Sequence, residues 1–146
     1  MSDQILAPSD IRLVAGDAPD RDAAIRAAGA ILVESGAVTP AYVEAMIERE
    51  GSVSTFMGNF LAIPHGTNEA KGEIQRSALS FVRYDEPIAW GSEEVRFVVG
   101  IAGIEDEHLE ILSKIAIIFS DDDEVQKLLS APDAAAIAAI LAEVNE

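Results

Sequence analysis

At 146 residues and 15.5 kDa, with 49% hydrophobic residues and a mean hydropathy of +0.20, the sequence has apolar material for one cored domain over residues 1–146 and too little length for two. Charge interrupts its apolar runs too often for a bilayer span, and the lack of cysteine excludes disulfides, thiol chemistry and thiolate metal sites. The formal charge of -16, from 26 acidic against 10 basic residues, repels phosphate backbones and anionic membranes and favours a protein partner with a basic face.

Ile11 to Val14 reads as a short strand or an extended lead-in, after a Met-Ser-Asp-Gln start without the basic and apolar regions of a secretory signal; the expected location is the cytoplasm. Asp20 then caps a predicted helix in which Ala24, Ile25, Ala28, Ile31 and Leu32 recur at helical spacing until Gly36. Thr39-Pro40 places a capping hydroxyl before a proline at the first helical position. Tyr42, Val43, Met46 and Ile47 supply the apolar stripe of this second helix, which reaches about Gly51 with Arg49 in its last turn. From Phe56 to His65 the alternation predicts a short strand, and the missing N–H of Pro64 places His65 at its end, near the surface.

Ala78 to Tyr84 alternates as a strand with one face wetter than the other, ended by Pro87, whereas the β-branched run from Glu94 to Gly103 belongs in a sheet centre buried on both faces. Asp106 is expected to cap a helix carrying Leu109, Ile111, Leu112, Ile115 and Phe119. Asp121-Asp122-Asp123 starts a short helix through Leu129, and Pro132-Asp133 starts a last, Ala-rich one. The Asp triplet lacks the spaced ligands and closing Glu of a calcium loop, so no metal is assigned to it. Helices flanking a central sheet give an α/β fold.

Three residues could handle a phosphoryl group. His65 leaves an apolar strand for a Gly-containing turn, His108 lies in the first turn of a helix, where imidazolium is disfavoured, and Arg49 offers a permanent forked cation for phosphoryl oxygens. Periodicity alone favours the plainer roles, a satisfied edge histidine at 65, an exposed helix residue at 108 and an ion pair of Arg49 with Glu48, Glu50 or a neighbouring helix.

Asn59 to Thr67, with its Ile63-Pro64-His65-Gly66-Thr67 core, resembles the enzyme IIA domains of the bacterial sugar phosphotransferase system, specifically the mannitol class within the mannitol/fructose/nitrogen group. Tyr42 to Glu50, Asn68-Glu69-Ala70-Lys71, Glu94 to Gly103 and Glu107-His108-Leu109 carry the resemblance further, so that it covers about Leu13 to Leu129. It implies a single type-2 enzyme IIA domain with a mixed, mainly parallel β-sheet, helices on both sides, and an active site in a shallow hollow at strand ends. It implies no metal or organic cofactor. By position, His65 would attack a phosphohistidine of the carrier protein HPr through Nε2 and pass the phosphate to a cysteine of an enzyme IIB, with His108 and Arg49 as the second histidine and the arginine of the site. Asn59 departs from the acidic residue that some mannitol-class members carry there, which leaves its side chain without an assigned role. A free-standing enzyme IIA is expected, the sugar being selected by its membrane partner. Two other readings stay open: a regulatory enzyme IIA of the nitrogen branch, phosphorylated at the same histidine but signalling by binding, and a non-catalytic interaction module in which His65 only shapes a docking surface.

Overall fold

The structure, a computed structural model, describes residues 5–17, 19–104 and 106–142. Strands β1 (Ile11–Val14), β2 (Phe56–Gly58), β3 (Leu61–Ala62), β4 (Ala78–Trp90) and β5 (Glu93–Ala102) form one sheet in the order β1-β4-β5-β3-β2. β1 runs parallel to β4 and β3 parallel to β5, while the β4–β5 and β2–β3 pairs are antiparallel. Helices α1 (Arg21–Glu34) and α2 (Pro40–Ser52) cover one face, and α3 (Glu107–Phe119), α4 (Asp122–Ser130) and α5 (Ala134–Ile140) the other. This is the mixed α/β sheet between helices that the sequence predicts.

The two long strands send alternate side chains to opposite faces. Ala78, Val82 and Val98 pack under α1 and α2, whereas Leu79, Phe81, Phe97 and Val99 pack under α3, α4 and α5. β5 is buried on both faces, as its β-branched run predicts. So is the Ala78 to Tyr84 stretch of β4, and the wetter face expected there does not exist: Ser80 is buried beside Gly100, and buried Arg83 donates through Nη1 to the carbonyls of Leu128 at 2.9 Å and Ala131 at 2.7 Å. A cation there complements the carbonyls left open at the end of α4.

Asp20, Asp121 and Asp133 cap α1, α4 and α5 by accepting first-turn N–H groups, as expected. Two other predicted caps differ. Thr39 precedes Pro40, but its hydroxyl bonds to Glu73 instead of its own helix. Asp106 precedes α3 with φ -69° and ψ -19°, already helical, and its side chain makes no capping bond; a capping side chain needs the extended backbone that Asp20, Asp121 and Asp133 have.

Two strand boundaries also need correction. Phe56 to His65 is a hairpin, because Asn59 (φ 48°) and Phe60 (φ 66°) make a left-handed two-residue turn between β2 and β3. The β3 line then follows β5 with Leu61 opposite Phe97, and a single parallel bridge pairs His65 with Ile101. Pro87 does not end β4. It lies where β4 carries extra residues between Arg83 and Ile88, a bulge in which a missing N–H breaks no ladder bond.

Candidate active site

A hollow of about 660 Å³ opens beyond the carboxyl ends of the neighbouring parallel strands β3 and β5, where loops leave a sheet and ligands commonly bind. His65 and Gly66 enter it from the β3 line, Gly103 from the end of β5, and His108 and Leu109 from the first turn of α3. α2 contributes Tyr42 and Arg49, two turns apart on one face, and the short 3-10 segment Asn68–Glu73 contributes Lys71. The three residues singled out in the sequence, His65, His108 and Arg49, thus meet in one depression.

The half-buried His65 ring places Nδ1 2.8 Å from the carbonyl oxygen of Ile63. A carbonyl can only accept, so Nδ1 holds the proton of the neutral ring and Nε2 holds the lone pair. Burial lowers the proton affinity of His65 and the Arg49 charge lowers it further, while the Ile63 bond and Glu50 act in the opposite sense. The His108 ring lies edge-on to it, with centroids 5.2 Å apart and planes at 62°. Burial likewise lowers the proton affinity of His108, assisted by His65 and Lys71. Both environments thus favour the neutral ring.

A buried hydroxyl fastens the turn after His65. Tyr42 Oη donates to the carbonyl of Ile101 at 2.8 Å and accepts the N–H of Gly66 at 2.9 Å. Burial raises the Tyr42 pKa, which keeps the donor protonated. No side chain fits at residue 66, since a Cβ there would stand 2.5 Å from the Tyr42 ring. Arg49 donates through Nη1 to the carbonyl of Val53 at 2.8 Å and makes no ion pair among the described residues. Behind it, buried Glu50 accepts from the Thr55 N–H at 2.8 Å and from Trp90 Nε1 at 3.0 Å. A lone pair on imidazole beside a forked guanidinium is an arrangement suited to accepting a phosphoryl group.

Asn59 stands apart from this group. It occupies the hairpin turn at the other end of the β3 line, where Nδ2 donates to the carbonyl of Phe119 at 2.6 Å. Sequence reasoning leaves Tyr42 in an apolar stripe and assigns Lys71 no role. A tyrosine hydroxyl on a buried helical face was the available signal for the first, because such a group needs a polar partner. Among the described residues no group of three or more His, Cys, Asp or Glu side chains could hold a metal ion.

Residues 4–144 match the sequence family described as "Phosphoenolpyruvate-dependent sugar phosphotransferase system, EIIA 2". The chain is 51% identical to the mannitol-specific phosphotransferase enzyme IIA component of Halalkalibacterium halodurans over 146 residues, covering 100% of each. Its fold is similar, with a TM-score of 0.86 at 31% identity over 94% of this chain and 97% of the other, to that in the complex of enzyme IIAMTL and phosphorylated enzyme IIBMTL from Escherichia coli. It is also similar, with a TM-score of 0.81 at 28% identity over 94% and 96%, to nitrogen regulatory protein IIA-Ntr from Neisseria meningitidis. A match over nearly the whole sequence, together with a full-length relative of this identity, establishes that the chain belongs to the type-2 enzyme IIA family of the phosphoenolpyruvate-dependent sugar phosphotransferase system.

Proposed function

We propose that this protein is a cytoplasmic, single-domain phosphocarrier of the mannitol class, taking a phosphoryl group from phospho-HPr on His65 and handing it to a cysteine of an enzyme IIB. The observation that carries the reading is the Nδ1 contact with Ile63, which leaves Nε2 as the nucleophilic nitrogen. The Nε2 lone pair forms a bond to phosphorus while the bond to the HPr imidazole breaks, its electron pair leaving with that ring. The Nδ1 proton stays on His65, where the Ile63 carbonyl holds it. Attack by the enzyme IIB thiolate then forms the sulfur–phosphorus bond and returns the lone pair to Nε2.

Arg49 supplies charge for the phosphoryl oxygens, and His108 lines the space beside the reacting nitrogen. Exposed Leu109 on the hollow and Val53 beside Arg49 offer apolar contact to a docking protein. The name of the Halalkalibacterium relative and the phosphorylated enzyme IIB in the Escherichia complex support the mannitol class and the acceptor. The charge of -16 disfavours nucleic acid as a partner, and no described helix is long and apolar enough to cross a membrane. The likeness to IIA-Ntr supports a second reading, regulation by binding after the same phosphorylation.

Incubation with phosphoenolpyruvate, enzyme I and HPr followed by intact-mass analysis tests the assignment. One acid-labile phosphate is expected on the wild type and none on folded His65→Ala; ordinary labelling of that variant would sink the site. Transfer from the labelled protein to a mannitol-type enzyme IIB supports transport, whereas normal labelling without transfer supports regulation. No label on the folded wild type would leave an interaction module.

A further inference from the structure

His108 faces His65 only because the start of α3 is held in one place, and the residue at its cap position does not hold it: the Asp106 side chain makes no capping bond. The β4–β5 ladder has also run out there, its last pair being Ala78 with Ala102. Ser77, buried just before β4, takes over. Its Oγ accepts the N–H of Ile104 at 2.9 Å and donates to Oε1 of Glu107, the first residue of α3, at 2.8 Å. A hydroxyl has one proton and two lone pairs, so both bonds form together and fix its rotor. The Ile104 carbonyl in turn accepts the N–H of Glu107 at 3.1 Å, closing the turn that leads to His108. On the other side Gly103 passes so close to the first turn that a Cβ there would lie 2.5 Å from His108 Cα.

We propose that Ser77, which does not line the hollow, is a positioning residue: through Ile104 and Glu107 it sets His108 opposite His65 at the spacing used in phosphoryl transfer. Its kinetic consequence rests on the function proposed above, while its structural consequence can be read without any phosphate. Small displacements of a group beside the reacting atoms are costly, since catalysis depends on orientation fixed in advance.

The test is a cycle of Ser77→Ala and Ser77→Thr, each alone and with His108→Ala. Ser77→Ala is expected to slow phosphoryl transfer about three- to tenfold, the range for losing a buried hydrogen bond, and Ser77→Thr to stay within about twofold of wild type. In the His108→Ala background Ser77→Ala should cost nothing more. An unchanged rate in Ser77→Ala, or the same loss in both backgrounds, would overturn the proposal, the latter by revealing a general structural effect. Exposed Glu107 provides the second variant if Ser77→Ala does not fold: Glu107→Ala removes the acceptor and should give a smaller loss, again only when His108 is present. Imidazole NMR on the unphosphorylated protein is independent of transfer. Ser77→Ala should shift the titration of His108 and weaken its ring contact with His65, and an unaltered His108 signal would overturn the proposal even if the wild type accepted no phosphate.

Discussion

At the residue scale, a single hydrogen bond selects the tautomer: the Ile63 carbonyl occupies Nδ1 of His65 and leaves Nε2 with the lone pair. The lowered proton affinities of His65 and His108 carry a pH dependence whose sign follows from linkage. Below the ordinary histidine value of 6.5 the unfolded chain binds protons that these folded rings resist. The stability they contribute is therefore complete above that value and declines as the pH falls from it towards their folded values. NMR titration should place both midpoints below 6.5, with thermal stability decreasing on acidification through this range; a His65 midpoint at or above it would contradict the burial argument. His65, His108 and Arg49 stand out in the sequence through the motifs that carry the family resemblance, since imidazole and guanidinium taken singly fit plainer roles as well. Tyr42 is not, since its hydroxyl finds partners 24 and 59 residues away.

At the scale of elements, the helices were legible nearly to their ends where the signal is local, as in the Asp20, Asp121 and Asp133 caps. The strands were less so. Phe60 is bulky and carries no turn signature, yet it adopts a left-handed conformation, and the register shift around Pro87 depends on β5, which follows it in sequence. The seating of α3 combines a long-range part, the bonds from Ser77 to Ile104 and Glu107, with a local one, the close approach of Gly103 to His108. Gly103→Ala should destabilise the fold by about 1–3 kcal/mol, the cost of overpacking a close contact. Urea unfolding measures it, and a wild-type midpoint with an unchanged slope would show that the first turn of α3 has room to move away.

For the whole molecule, a charge of -16 outweighs what the described ion pairs offset; Arg12–Glu34, Arg21–Asp22, Arg26–Glu44 and Lys127–Glu124 are all solvent-accessible. Self-repulsion should make the protein more stable as salt is added. Between about 0.01 M and about 0.15 M salt, where the screening length shortens from about 30 Å to about 8 Å, the melting temperature is expected to rise. A fall would mean that the surface pairs contribute more than the repulsion. Against that acidic background the hollow is balanced, with Arg49 and Lys71 lining it alongside Glu69 and Asp106. The chain's one tryptophan, Trp90, is bonded to Glu50, which follows Arg49 in α2 and whose charge is felt at His65. On the function proposed above the protein carries an optical gauge of its own: an anionic group arriving at His65 is expected to alter the field along that route, and with it the colour of one indole's emission on the unlabelled chain.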